Sequence, residues 1–139
     1  MSEANKQLVR RWFEEVWNQQ SERAIDELFS PEGKARGFPE EDSVLIGPED
    51  FKSIHRSFRG AFPDVHVTVE DAIAEGDKVA VRWKVDMTHR GDHLGFPATG
   101  KKVSMSGSSF VVVKDGKIDD AWNFMDMGNL FVRLREPAA

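Results

Sequence analysis

The stretch from Ile118 to Asp126 carries the residue types and spacing that best fit chemistry. If it forms a β-strand, its two-residue period places Ile118, Asp120, Trp122, Phe124 and Asp126 on one face. A carboxyl group among apolar side chains titrates closer to neutral pH, because desolvation disfavours its charged form, and it can then act as a general acid or base. Asp126 is therefore the predicted catalytic residue. The spacing leaves equally open that Asp126 caps the turn at Gly128 or lies at a pocket rim.

Two histidines lie four residues apart, at His89 and His93. That spacing would align two metal ligands on a helix, but Gly91 interrupts the segment and no third ligand is evident, so no metal site is expected. His89 continues the alternation of the preceding strand on the side of Trp83. A histidine there could shuttle a proton or orient a carbonyl, which makes His89 the second catalytic candidate; a structural histidine is the competing interpretation.

Large aromatic side chains supply the candidate pocket wall. The chain has 4 Trp and 10 Phe but no Tyr. The residues predicted to contact a hydrophobic ligand are Phe13, Trp17, Phe58, Phe62, Trp83, Trp122 and Phe124. Packing in the core is the alternative for each of them. Because a phenolic donor is excluded, any enolate would need an N–H or O–H from Trp, His, Asn, Ser or the backbone.

Helices in the first half of the chain must form one side of this site. Apolar residues at steps of three and four predict a first helix ending near Asn18, and Ser21 can cap a short second one. Pro48 and the acids after it predict the start of a third helix. The polar stretch 34–47 is predicted to be a loop that could fold over a cavity mouth.

Strands in the second half must form the other side. Alternating apolar residues predict two hairpins, with tight turns at 75–77 and 115–116, and a glycine-rich loop between them. Helices followed by an antiparallel meander are typical of an α+β fold.

Composition narrows the classes of protein. The 139 residues, 40% hydrophobic and 31% charged, predict one domain over 1–139. A net charge of −5 without a basic stripe argues against nucleic acid as a partner. The lack of cysteine excludes thiolate nucleophiles and Cys-based metal sites. Because the N-terminus has no apolar signal region and no stretch is long enough to span a membrane, a cytoplasmic location is expected.

Several short segments share their order and spacing with one known family. These segments are 16–18 (VWN), 61–64 (AFPD), 75–83 (EGDKVAVRW), 88–91 (THRG) with 95–101 (GFPATGK), and 115–118 (DGKI) followed by Trp122 and Asp126. In this combination the chain resembles the SnoaL-like polyketide cyclase family of the nuclear transport factor 2-like superfamily. The resemblance covers nearly the whole chain.

The resemblance implies an α+β cone, in which a strongly curved antiparallel sheet wraps against the N-terminal helices and encloses a deep pocket. It implies a small hydrophobic ligand, and a homodimer or higher homo-oligomer formed through the outer face of the sheet. In the family an aspartate on the last strand is the general acid/base of an intramolecular aldol ring closure, without metal or cofactor. Asp126 resembles that residue.

The chain departs from the family pattern at two positions. Characterised cyclases also have a histidine on the strand before the aspartate and a tyrosine on the first helix, whereas strand 103–113 has no histidine and the first helix offers Phe13 and Trp17. The favoured function is a cofactor-independent enzyme that performs acid/base chemistry, of aldol cyclisation or isomerisation type, on a hydrophobic carbonyl compound. The alternatives are a non-catalytic binding protein and an epoxide-hydrolase-like hydrolase. The hydrolase needs a carboxylate–arginine–carboxylate set, of which only Asp126 is a credible member.

Overall fold

Residues 2–136, which a computed structural model describes, form helices packed on one face of a mixed sheet. The helical segments are α1 (Ser2–Arg11), a π-helical continuation (Trp12–Asn18), α2 (Glu22–Leu28), α3 (Gly47–Ala61) and α4 (Met127–Arg135). The strands are β1 (Phe29–Arg36), β2 (Val44–Ile46), β3 (His66–Glu75), β4 (Lys78–Thr88), β5 (Lys102–Lys114) and β6 (Lys117–Met125). The predicted domain also included residues 1 and 137–139, which lie outside the described part.

The sheet has the strand order β2-β1-β6-β5-β4-β3. β3 to β6 form the predicted antiparallel meander, and β1 adds to β6 in parallel with β2 as the edge. The predicted α+β class with a curved sheet against N-terminal helices is confirmed. The sheet was predicted to be antiparallel throughout. That prediction is wrong at one junction, because β1 pairs with β6 in parallel.

The first helix widens where it meets the sheet. Its predicted end at Asn18 is confirmed, but the last seven residues are π-helical, and Gln19 N–H donates to the Glu14 carbonyl, five residues back. The wider turn brings neighbouring aromatic residues to one face, so Trp12, Phe13 and Trp17 are all buried.

Local capping explains where the next helices begin. The Ser21 hydroxyl accepts the Ala24 N–H at 3.1 Å, as predicted for the start of α2. Proline in the first turn and two acids begin α3, which lies against the sheet through Phe51 and Phe58. The hairpin turn at Asp115-Gly116 is also confirmed, since both residues have positive φ.

The loop predicted over 34–47 is correct for 37–43 and wrong for the other half, where β1, β2 and the start of α3 lie. β1 and β2 pair within it, and only 37–43 connects them. Pro31 and Gly33 disfavour strand structure locally, and the pairing of β1 with β6 overrides that preference. A side chain at Gly33 would meet the Ile118 carbonyl at 2.9 Å, so glycine permits the close approach of the two strands.

A bulge in β6 overturns the predicted face of its second half. Val113 pairs with Ile118 but Val112 pairs with Asp120, which leaves Asp119 as the extra residue. The alternation therefore shifts by one position. Ile118 faces the helices as predicted, but the inward residues after it are Ala121, Asn123 and Met125, whereas Trp122 and Phe124 are exposed on the outer face.

One contiguous apolar core lies between the helices and the inner sheet face. β4 supplies the alternating set that its sequence predicts, Val79, Val81, Trp83, Val85 and Met87, all buried. Within residues 2–136, no helix is long and apolar enough to cross a membrane.

Candidate functional site

A pocket lies between the helices and the inner face of the sheet. Its cavity volume is about 80 Å³, and the empty space is about 740 Å³ when the open solvent at its mouth is included. Eight aromatic residues line it: Trp12, Phe13, Trp17, Phe29, Phe38, Phe51, Phe58 and Trp83. The space is walled by rings and aliphatic side chains, a lining that suits an apolar ligand with aromatic or other flat parts.

The aromatic wall is held by ring-to-ring contacts. Phe51 is its centre, with ring centroids 4.9 Å from Trp12 and 5.9 Å from both Trp17 and Phe29. Most of these rings meet at steep angles, which is a favourable arrangement because a ring edge is positive and a ring face negative. The rings therefore support one another around the space.

One polar strip crosses the otherwise apolar floor. The Trp83 indole N–H donates to Ser109 Oγ at 3.1 Å, and the Ser109 hydroxyl donates to Asn123 Oδ1 at 2.7 Å. Asn123 Nδ2 donates to the Arg36 backbone carbonyl at 3.0 Å. The strip runs across four neighbouring strands, from β4 through β5 and β6 to β1.

Two glycines make room for the strip. A Cβ at Gly107 would lie 2.5 Å from the Trp83 ring, so only glycine lets the indole lie against β5. A Cβ at Gly37 would lie 2.1 Å from the Asn123 carbonyl oxygen, and Gly37 also has a positive φ of 82°. Both glycines thus keep backbone and side chains of the strip in place.

The structure brings together only part of the predicted ligand wall. Phe13, Trp17, Phe58 and Trp83 line the pocket. Phe62 is fully buried behind it, 4.9 Å from the Phe58 ring. Trp122 and Phe124 do not line it, because the β6 bulge turns them to the outer face; their predicted place in the wall is wrong.

Asp126 lies at the end of β6, directly after Met125, which lines the pocket. Its side chain is exposed, and its Oδ1 accepts the Asn129 N–H at 2.9 Å as the N-cap of α4. The predicted placement on an apolar inner face is therefore wrong, for the same reason as at Trp122 and Phe124. The geometry matches the capping alternative, with α4 rather than a simple turn receiving the cap.

His89 is fully buried but does not line the pocket. Its Nδ1 accepts the Thr99 backbone N–H at 3.1 Å, and its ring lies between Phe62 and Phe96. Burial lowers the pKa of His89. These contacts hold the loop after β4 in place and favour the structural interpretation over a catalytic one.

A second buried histidine supports the helix wall. His55 Nε2 donates to the Val16 carbonyl at 2.7 Å, and its ring packs against Trp17. Burial lowers the pKa of His55, and the hydrogen bond to the carbonyl opposes part of that shift. His55 thus joins α3 to the π-helical segment.

Sequence reasoning missed the two polar residues of the pocket floor. Ser109 is 1% exposed and alternates with apolar residues along β5, so its inward position was readable from the period of the strand. The inward position of Asn123 could not be predicted, because it depends on the bulge. The only local sign of the bulge is the pair of adjacent acids Asp119 and Asp120. Among residues 2–136, no three His, Asp or Glu side chains lie close enough to hold a metal ion.

The sequence and the fold together place the chain in a family. The profile of the SnoaL-like polyketide cyclases matches residues 7–133. The chain therefore belongs to the SnoaL-like polyketide cyclase family.

Relatives span nearly the whole chain. The aklanonic acid methyl ester cyclase DnrD of Streptomyces peucetius is 28% identical over 131 residues, which are 94% of this chain and 90% of the relative. A candidate polyketide cyclase from Acidithiobacillus ferrooxidans has a solved structure with a TM-score of 0.80 and 28% identity, covering 97% and 96% of the two chains. A candidate SnoaL-like polyketide cyclase from Jannaschia sp. CCS1 has a TM-score of 0.88 at 23% identity, covers 99% and 95%, and shows the shared fold.

Proposed function

We propose that this chain is a cyclase-type enzyme that takes a flat, hydrophobic carbonyl compound of polyketide type into the aromatic-lined pocket. The observation that carries the proposal is the pocket itself, with its wall of eight rings and one polar strip. Its ring-rich lining suits a fused-ring or nearly planar compound, and its apolar surface excludes water from the reacting carbons. Membership of the cyclase family and the similarity to DnrD support ring closure as the reaction.

The reaction needs a group that moves protons. In an aldol ring closure a base removes the proton α to one carbonyl, the resulting enolate carbon attacks a second carbonyl, and the new alkoxide takes a proton back. Asp126 is the carboxylate proposed for this role. It is solvent-exposed at the end of β6, one residue past the inward-facing Met125, and its Oδ2 accepts no hydrogen bond within the described residues. No cofactor is needed, because the sequence of steps is an isomerisation overall.

A non-catalytic binding protein is the second candidate. The observation in its favour is that the described residues lining the pocket include no ionisable side chain. A ligand held there meets rings, aliphatic groups and the polar strip, which is enough for binding and does not by itself provide a base.

An assay with aklanonic acid methyl ester, the compound in the name of DnrD, tests the proposal. The expected result is an isomeric, ring-closed product that separates from the starting compound by chromatography at unchanged mass. Quenching of tryptophan fluorescence measures binding in parallel. Binding of this ester and of related aromatic ketones without any product would contradict catalysis and support the binding candidate.

We also propose that two copies of the chain associate through the outer sheet face. Phe110 and Phe124 are each 54% exposed there, with ring centroids 6.0 Å apart. Arg36 and Asp120 beside them form an ion pair at 3.2 Å, and Arg36 also lies over the Trp122 ring. Because these charges pair within the chain, the patch attracts no charged partner and suits a second copy of the same apolar surface.

Substitution of Phe110 by Glu should convert this dimer into a monomer, because two carboxylates would face apolar surface at the interface. Light scattering coupled to gel filtration measures the mass at micromolar concentration. Val132→Glu, at an exposed position on α4 rather than on the sheet, is the matched control and should leave the dimer intact. A wild-type chain that runs as a monomer would rule out the interface.

A further inference from the structure

Asn123 is the polar group at the middle of the strip on the pocket floor. We infer that its side-chain amide donates the hydrogen bond that holds the carbonyl oxygen of the ligand, with Ser109 and Trp83 as positioning residues. The inference rests on the proposed function, since it names the group that orients a carbonyl compound in the same pocket. It follows from three features of the strip.

The first feature is that the amide has a fixed orientation. The Arg36 backbone carbonyl can only accept, so Nδ2 of Asn123 must face it at 3.0 Å. Oδ1 then faces β5, where the Ser109 hydroxyl donates to it at 2.7 Å. Both ends of the amide are held, and a rotation about its terminal bond would break both hydrogen bonds.

The second feature is that the hydroxyl has a fixed direction. An indole N–H can only donate, and Trp83 donates to Ser109 Oγ at 3.1 Å. The Ser109 hydrogen is therefore left to point toward Asn123. Gly107 makes this contact possible, because any larger residue would displace the Trp83 ring. The donors are arranged before a ligand enters, so their alignment costs nothing on binding.

The third feature is an amide hydrogen without a partner. The Asn123 amide carries two N–H groups, and one of them serves Arg36. The other has no hydrogen-bond partner among the residues that the structure describes, although Asn123 lines the pocket. A donor without a protein partner in the lining of a largely apolar pocket favours a ligand that offers a neutral acceptor, because leaving the hydrogen bond unmade is costly. A carbonyl oxygen is such an acceptor.

This donor also suits the reaction. When the α proton leaves for the base, negative charge develops on the carbonyl oxygen of the enolate. A fixed N–H at that oxygen stabilises the charge. A tyrosine hydroxyl could do the same, but this chain has no Tyr. Asn123 would therefore contact the reacting carbonyl itself, whereas Ser109 and Trp83 would act through it.

Two matched probes isolate the carbonyl contact. Fluorene and 9-fluorenone have the same flat tricyclic frame, and only fluorenone carries a carbonyl. Tryptophan fluorescence gives the dissociation constant of each, and infrared spectroscopy with carbonyl-labelled fluorenone gives the stretching frequency of the bound carbonyl. A hydrogen bond lowers that frequency, which a residue with a merely structural role would not do.

Asn123→Ala should weaken fluorenone binding about fivefold, which corresponds to one net hydrogen bond, and leave fluorene binding unchanged. The carbonyl band of bound fluorenone should lie below its position in an alkane solvent for the wild type and return toward it in the variant. Ser109→Ala should give a smaller loss and a broader band, because the amide is then held at one end only. Met125→Leu, also on the inner face of β6, is the control and should change the binding of both probes alike.

Equal weakening of both probes by Asn123→Ala would overturn the inference, as would a carbonyl band of the wild-type complex at the alkane position. If Asn123→Ala does not fold, the position of the carbonyl band of fluorenone in the wild-type complex still tests the inference. If neither probe binds to the wild-type chain, the proposed pocket itself fails, and the two failures are thus distinguishable.

Discussion

Asp126→Asn should lower kcat for ring closure by about 10²–10⁴-fold, the usual contribution of a general acid or base. An amide cannot take up a proton at neutral pH. The substitution should leave the fold intact, because asparagine is as good an N-cap as aspartate and its oxygen can still accept the Asn129 N–H. Steady-state kinetics and the midpoint of urea unfolding measure the two effects separately.

Asp126→Ala separates catalysis from capping. It removes both the carboxylate and the cap, so it should show the same loss of kcat and an additional loss of about 1 kcal/mol in the free energy of unfolding. Asp119→Asn makes the same chemical change at the bulge of the same strand and should leave kcat unchanged. If Asp126→Asn retains full turnover and only Asp126→Ala is less stable, the carboxylate caps α4 and has no part in the chemistry.

The elements that could be predicted from the sequence are those determined by residues close to them in the chain. Ser21 before α2, Pro48 at the start of α3 and Asp115-Gly116 between β5 and β6 each act on the backbone within a few residues. The alternation of β4 is equally local, and every inward residue that it predicts is buried. For these elements, sequence and tertiary structure favour the same conformation.

The second half of β6 was not predictable, because its face depends on its neighbour. Two steps along β6, from Ile118 to Asp120, match one step along β5. This single extra residue exchanges the inner and outer faces for every position that follows. It moved Trp122 and Phe124 out of the predicted pocket wall and moved Asn123 into the floor.

β1 was missed for a related reason. Its sequence contains Pro31 and Gly33, which disfavour a strand, and its partner β6 lies more than 80 residues away in the chain, as the pairing of Arg36 with Trp122 shows. Non-local pairing of this kind leaves no periodic signal in a short polar segment. The consequence for the site is direct, since the Arg36 carbonyl of β1 is what orients the Asn123 amide.

Phe51→Ala should lower the free energy of unfolding by about 3–5 kcal/mol, the usual cost of removing a buried aromatic ring. Phe51 is 4% exposed, and its ring contacts Trp12, Trp17 and Phe29. Since it also lines the pocket, the substitution enlarges the space in which the ligand is proposed to lie. Urea unfolding monitored by tryptophan fluorescence measures the loss.

Val132→Ala is the control for this prediction, because Val132 is 58% exposed on α4 and its truncation should change stability by no more than about 0.5 kcal/mol. A bound tricyclic ligand should restore part of the stability lost in Phe51→Ala, since it binds only the folded chain and can occupy the vacated space. A loss below about 1 kcal/mol would mean that the neighbouring rings collapse into the gap. In that case the aromatic side chains rearrange easily, and they do not form a rigid wall that keeps the pocket open.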